Sequence, residues 1–299
     1  MIRRIIRYTA HLFHIRHRRG RGIHSPYLFE FVHDVLFDAE GIRVPEEILR
    51  IHRELAGDRA LIPRERWLYR AARTPVPDGS KGAVGTGSGE AVGTGSKGTG
   101  AIGSGGAGKA ADRSGERSVR SFVRRSSVPP RYGALLYRMA RWFRPEMVLE
   151  LGTGLGVSTL YLASGAPGVP LHSVEGHTER AAFAAALLCR CGLEQVSIHW
   201  GEMDEKLEEI LPQMPGRFLA FIDGNHRYEP TVGYVRKILS RAGDEAVIVM
   251  DDIYWSPEME KAWKEVTGWP EARFSVDLFR FGILFLRKDL QKMHIKINF

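Results

Sequence analysis

A chain of 299 residues, with 43 Lys or Arg against 35 Asp or Glu and only two Cys, is long enough for one large domain or two small ones. Apolar residues make up 43%, enough to build a buried core, while two cysteines cannot frame a disulfide scaffold and point to a reducing, cytoplasmic setting. Apolar runs are short, such as Ala181 to Leu188, and none approaches the ~20 residues that a membrane-spanning helix needs. The net charge of +8 is unevenly held: residues 1–125 carry 23 basic and 13 acidic side chains, net +10, and residues 126–299 carry 20 and 22, net −2.

The first 28 residues contain seven arginines (Arg3, Arg4, Arg7, Arg16, Arg18, Arg19 and Arg21) and no acid, interleaved with Ile2, Ile5, Ile6, Leu12, Phe13 and Ile15. Such a pattern suits an amphipathic helix on an anionic membrane surface or on nucleic acid, with anionic contact through residues 1–22. It also has the Arg-rich, acid-free look of a mitochondrial transit peptide, and its plainest reading is a solvated basic helix leading into the fold. From Ser25, Pro26 at a helix start followed by Tyr27, Phe29, Phe31, Val32, Val35 and Leu36 predicts a buried helical segment, and a second amphipathic stretch runs from Pro45 to about Leu55. Residues 1–73 thus read as a basic helical extension.

Residues 74–121 differ in texture. They hold 14 of the 33 glycines, no Phe, Trp or Tyr, and a near-repeated octapeptide, A-V-G-T-G-S-G-E at Ala83–Glu90 and A-V-G-T-G-S-K-G at Ala91–Gly98. This composition cannot bury enough apolar surface to offset its ordering entropy, so it reads as a flexible linker or insertion. Its G-T-G-S-G strings imitate phosphate loops, but no strand precedes them and no helix follows.

Residues 122–299 form the remaining unit. After Pro129-Pro130, the spacing of Tyr132, Leu135, Leu136, Met139, Ala140 and Phe143 predicts a helix. Seven β-rich runs follow, Met147–Leu151, Leu171–Glu175, Val196–Trp200, Phe218–Ile222, Ala246–Met250, Arg273–Val276 and Gly282–Leu286, most of them separated by helical stretches. Alternation of this kind predicts an α/β fold with a mostly parallel sheet and helices on both faces. The last two runs lie too close for a parallel crossover and should pair as an antiparallel C-terminal hairpin at one edge.

The strongest local signal is V-L-E-L-G-T-G-L-G, Val148 to Gly156, a buried strand running into a glycine turn and then a helix. Open α/β sheets bind ligands at the carboxyl ends of their strands, where this turn sits. Gly152, Thr153, Gly154 and Gly156 give G-x-G-x-G spacing, with Glu150 two residues before the first glycine. The pattern resembles motif I of the class I S-adenosylmethionine-dependent methyltransferases, whose three-layer Rossmann-like fold has a seven-stranded sheet. The resemblance implies that this turn accommodates the methionine part of the cofactor. Glu175 ends the second strand 19 residues after Gly156, where a carboxylate accepts both hydroxyls of a ribose. Gly201 and Glu202, after the third strand, correspond to the loop that flanks the adenine in the resembled family, although an acid at a helix start is also an ordinary cap.

F-I-D-G-N-H-R-Y-E, Phe221 to Glu229, ends the fourth strand, and V-M-D-D-I-Y-W, Val249 to Trp255, ends the fifth. Asp223, Asp251 and Asp252 should therefore converge on the rim that carries the glycine turn. Clustered hard oxygen ligands suit Mg²⁺ or another hard divalent cation. This arrangement resembles the metal-dependent O-methyltransferases of the macrolide sugar type and, more distantly, the catechol type, over roughly residues 126–290. The implied activity is O-methylation of a small or medium hydroxylated acceptor, with Asp223 near the cofactor and the metal, and many enzymes of this fold are homodimers. His226, three residues beyond Asp223, is the candidate general base, and its alternative is a loop histidine that caps or packs. Tyr228 suits packing or orientation.

Cys189 and Cys191 lie two residues apart on a helix and point in different directions, without a matching Cys/His pair, so core or surface thiols are expected rather than zinc ligands. Trp255, Trp263 and Trp269 either line an acceptor pocket or pack the fifth helix. His24 has no visible partner in the sequence. Three other functional readings remain: a metal-independent methyltransferase with His226 as base, a nicotinamide-dependent oxidoreductase, against which the shortened glycine spacing argues, and a non-catalytic binding module with a basic N-terminal arm.

Overall fold

The structure, a computed structural model, describes residues 24–37, 41–60, 62 and 118–299. The arginine-rich segment before residue 24 and residues 63–117, with most of the glycine tract, lie outside the described residues. Ser25 accepts the Leu28 N–H and Pro26 fills the first turn of helix α1 (Pro26–Glu30), which continues as a wider π-helical turn, Phe31–Phe37. Helix α2 spans Glu46–Gly57. Helix α3 (Val119–Ser126), capped by Ser118, begins within the stretch that sequence texture assigns to the linker, and α4 follows at Pro130–Phe143.

Strands and helices then alternate: β1 (Met147–Leu151), α5 (Val157–Gly165), β2 (Leu171–Glu175), α6 (Thr178–Arg190), β3 (Val196–Trp200), α7 (Met203–Ile210), β4 (Phe218–Ile222), α8 (Tyr228–Leu239), β5 (Val247–Met250) and α9 (Pro257–Gly268). Three strands close the sheet, β6 (Phe274–Asp277), β7 (Gly282–Phe285) and β8 (Met293–Lys296). The order across the sheet is β3-β2-β1-β4-β5-β7-β6-β8. The first five strands are parallel, and β7 runs antiparallel to both β5 and β6, as the short connection requires. The sequence reading of seven strands is corrected to eight: β8 pairs parallel to β6, so the hairpin lies inside that edge rather than forming it.

Both faces of the sheet are covered. On one face Val148, Leu219, Phe221 and Val249 pack with Leu135, Leu136 and Met139 of α4 and Leu160 of α5. On the other, Leu149, Leu151, Ala220 and Ile248 pack with Leu207 of α7, Val235 and Ile238 of α8 and Trp263 of α9. The period-two alternation of strand side chains separates these sets, and burial on both sides explains why β1, β4 and β5 read as continuous apolar runs. Leu28, Phe31, Val32 and Val35 of the N-terminal helices join the first core cluster, so the front of the chain packs onto the sheet. Trp263 belongs to the second core cluster, Trp269 packs against it under the Arg236 guanidinium, and Cys189 and Cys191 are free thiols, the first exposed. No helix among the described residues is long and apolar enough to cross a membrane.

A buried polar contact ties α2 to α5: His52 meets the Tyr161 hydroxyl at 2.9 Å. Burial pushes the imidazole pKa down and the phenol up to about 12, so both groups are neutral near pH 7. Tyr161→Phe leaves His52 without this partner and should cost about 1–2 kcal/mol. Urea unfolding should show a lower midpoint at unchanged slope, and an unchanged midpoint would mean that the pair contributes nothing.

Candidate functional site

The carboxyl ends of β1, β2, β4 and β5 share one rim, and backbone bonds extend the ladder past the strands: Gly152 N–H donates to Val174 O (2.9 Å), Asp223 N–H to Leu151 O (2.8 Å) and Asp251 N–H to Ile222 O (2.9 Å). Gly152 has φ +106°, and an added Cβ would collide with the Asp223 carbonyl. The glycine turn and the acidic loop can therefore lie side by side only with glycine at 152.

A cleft of about 860 Å³ opens on this rim. Gly152, Thr153, Gly154 and Glu175 line one end. The Glu175 carboxylate accepts the Gly154 N–H at 2.8 Å through Oε2 and the His177 N–H at 2.9 Å through Oε1, and Arg180 approaches at 3.6 Å. It is buried and held in place before any ligand arrives. Glu202, Met203 and Gly176 continue the wall, while Gly156 and Gly201 do not line the cleft. Gly201 instead ties the third-strand loop to the second through its N–H to Glu175 O, 3.1 Å.

Glu150 also stays out of the cleft. It is fully buried, and its Oε2 accepts the Thr159 and Ser173 hydroxyls, both at 2.5 Å. Burial pushes its carboxyl pKa up, opposed by these hydroxyl bonds. Where the sequence suggests a cofactor contact, the structure has it bracing β1 against β2 and α5 beneath the turn.

Asp223 lies beside Gly152, and Asn225, His226, Asp252, Trp255 and Arg280 line the rest of the cleft. His226 sits at φ +42° with Nε2 3.6 Å from Asp223 Oδ1, and its Nδ1 is enclosed without a hydrogen-bond partner. Burial lowers the imidazole pKa, Asp252 opposing and Arg280 reinforcing that effect, so the ring is neutral near pH 7. Tyr228 points elsewhere, its hydroxyl bonded to Glu265 and its ring under Lys261, which fits a packing role.

The three aspartates converge as the sequence suggests, yet they do not form a cation cage. Asp251 is fully buried, with Oδ1 accepting the Asp252 N–H and Oδ2 accepting from Arg280 Nη2, both at 2.6 Å. Both of its oxygens are thus engaged, and it does not line the cleft. Asp252, at φ +51°, faces Arg280 Nη1 at 3.9 Å. Among the described residues no three His, Cys, Asp or Glu side chains are grouped to hold a metal ion. The donor set therefore does not fit the divalent ion expected at Asp223, Asp251 and Asp252, because a guanidinium already occupies the charge-compensating position. Burial, and then the neighbouring Asp251 and Asp252, push the Asp223 pKa well above the carboxylate range; burial and Asp252 raise Asp251 to about 6, with Arg280 opposing.

Sequence reading missed Arg280 and the α3 wall, where Phe122 packs against Gly154 and under the Arg180 guanidinium (5.0 Å). A lone arginine in a hairpin turn and an aromatic in a short helix carry no spacing signature.

Residues 149–253 match the family model described as a methyltransferase domain. A catechol O-methyltransferase from Niastella koreensis is 31% identical over 130 residues, covering 42% of this chain, and the chain spans 58% of that relative's length. Among solved structures, an O-methyltransferase from Bacillus cereus in complex with SAH is 21% identical, covers 49% of this chain and 73% of its own, and has a TM-score of 0.45. A putative O-methyltransferase from Klebsiella pneumoniae is likewise 21% identical, covers 54% and 81%, and has a TM-score of 0.47. The stretch that matches the methyltransferase-domain model lies over the doubly wound part of the sheet, where the glycine turn and the strand-end carboxylates share one rim.

Proposed function

We propose that this chain transfers the methyl group of S-adenosylmethionine to the oxygen of a small or medium hydroxylated acceptor. The observation that carries the reading is Glu175: a strand-end carboxylate that lines the cleft beside the glycine turn, fixed by the Gly154 and His177 N–H groups. Its remaining lone pairs are placed to receive two vicinal hydroxyls, the pattern a ribose presents. Oxygen as the acceptor atom is supported by the catechol O-methyltransferase relative.

When bound, S-adenosylmethionine supplies a methyl group on a cationic sulfur, an electrophile whose departure leaves a neutral thioether. The chain's own residues do the rest. Gly152 and Gly154 let the backbone pass close to the ligand, Thr153 lines the same end, and Glu202 with Met203 borders the adenine side. Asp223, between the two ends, faces both ligands. His226, neutral and at the opposite end, takes the acceptor proton as the acceptor oxygen bonds to the methyl carbon and the carbon–sulfur bond breaks; the proton then passes to solvent. The reading includes no metal ion, because Asp251 is turned out of the cleft onto the Arg280 guanidinium. In this assignment residues 122–299 are the catalytic domain and residues 1–73 a helical extension joined to it by the glycine-rich segment.

Calorimetry with S-adenosylhomocysteine on the full chain should show one site, and Glu175→Ala should weaken it by about 10–100-fold, the loss of charge-assisted hydrogen bonds. An unbound wild type whose thermal unfolding is cooperative would overturn the reading. Glu150 should behave differently. Glu150→Ala, which removes the Thr159 hydroxyl's acceptor, leaves Ser173 only its Thr153 contact and opens a cavity, should cost about 2–5 kcal/mol in stability. Glu150→Gln keeps an acceptor oxygen for Thr159 and Ser173 and should recover much of that loss, with ligand affinity unchanged. A stable Gln variant with weakened binding would instead place Glu150 in contact with the cofactor.

A further inference from the structure

We infer that Arg280 is the resident cation of the acceptor end of the cleft, standing where the aspartate cluster would otherwise recruit a divalent ion, and that the site works without a metal. The inference rests on the methyltransferase reading only for calling that end the acceptor's. Three observations carry it.

The first is charge. Asp223, Asp251 and Asp252 come from the ends of two adjacent strands, and two of them line the cleft. A set of carboxylates this close, shielded from water, needs a positive partner. Arg280 supplies it through Nη2 to Asp251 Oδ2 at 2.6 Å and Nη1 facing Asp252 Oδ1 at 3.9 Å.

The second is placement. Arg280 sits in the tight turn between β6 and β7, closed by Leu278 N–H to Phe281 O and Arg280 N–H to Leu278 O, both 2.9 Å. The Asp277 carboxylate accepts the Phe279 N–H at 2.8 Å and the Tyr254 hydroxyl at 2.6 Å, and Ile253 N–H donates to Arg280 O at 3.2 Å. Backbone and side-chain bonds thus join the Arg280 turn to the Asp251–Asp252 loop, so the guanidinium is built into the site. Its exposure is 16%, and the ring of Tyr132 lies 6.0 Å beneath it.

The third is exclusion. A hard cation binds carboxylate oxygens at about 2.0–2.6 Å, and Asp251, fully buried with Oδ2 on Arg280 and Oδ1 on the Asp252 N–H, turns neither oxygen into the cleft. An ion admitted beside the guanidinium would face like charge at short range. Arg280 still has donors to spare: its Nε is enclosed without a partner, and Nη1 stands beyond hydrogen-bonding distance of Asp252. It is a positioning residue for the aspartates.

Manganese(II) titration of the full-length protein, followed by electron paramagnetic resonance, tests this directly. The wild type should show no stoichiometric Mn²⁺ site, and Arg280→Met should gain affinity by roughly tenfold or more, the aspartates now being uncompensated, a gain that Asp251→Asn added to it should remove. Calorimetric binding of S-adenosylhomocysteine to the wild type should be indifferent to EDTA. One tight Mn²⁺ site in the wild type, lost in Asp251→Asn or Asp252→Asn, would overturn the inference, and that measurement does not depend on whether Arg280→Met folds. A folded Arg280→Met with no gain in Mn²⁺ affinity would overturn it as well. Failure of the wild type to bind S-adenosylhomocysteine would sink the cofactor reading alone and leave the Mn²⁺ result standing.

Discussion

The ends of β1 and β4 approach so closely that no side chain fits between them, and the cleft depends on that approach. Leu151 O receives the Asp223 N–H, Val174 O receives the Gly152 N–H, and Ile222 O receives the Asp251 N–H, so each loop leaves its strand already registered against its neighbour. Parallel strands end on one side, which is why four loops with different chemistry open onto a single rim. Glycine at 152 is the sequence condition for this geometry, since a Cβ would collide with the Asp223 carbonyl. Beneath the turn, Glu150 binds the Thr159 and Ser173 hydroxyls and fixes β1, β2 and α5 relative to one another. The acid of this motif thus acts through the scaffold, whereas Glu175, one strand over, lines the cleft.

The same convergence creates an electrostatic problem at the opposite end. Carboxylates gathered away from water destabilise one another, and the raised pKa values of Asp223 and Asp251 express that cost as a tendency to hold protons. Arg280 relieves part of it through a contact with a fully buried oxygen. It can do so because β7 runs antiparallel beside β5, which returns the β6–β7 turn to the rim where the parallel strands end. Sheet topology, more than local sequence, puts a cation there.

Much of this was legible in the sequence. Met147–Leu151 and Phe218–Ile222 are strands with the bounds that their apolar texture suggests, because strands buried on both faces read as short apolar runs; Leu171–Glu175 and the half-exposed edge strand Val196–Trp200 showed instead through their place in the βα alternation. The glycine turn and Glu175 were readable because their spacing is tied to one βαβ unit. β8 was not: in M-H-I-K only Ile295 is buried, so an edge strand with one inward side chain leaves almost no pattern. The direction in which Asp251 turns was also hidden, since a pair of adjacent acids after a strand looks the same whether it faces a metal ion or an arginine 29 residues later.

The distribution of the site along the chain bears on specificity. The family match ends at residue 253 and begins at 149, yet Phe122 closes one wall of the cleft from before that span and Arg280 closes another from after it. Phe122 belongs to a short helix whose neighbours Ser121, Arg125, Ser126 and Ser127 also border the opening, and its ring lies between Gly154 and the Arg180 guanidinium. Under the proposed reading, the matched segment supplies the glycine turn, Glu175 and His226 for cofactor geometry and proton transfer, and the flanks supply surface toward the acceptor. A methyltransferase domain can therefore keep its inner machinery while its acceptor changes, because the residues that shape the acceptor's approach come from chain segments that the shared fold leaves free to vary.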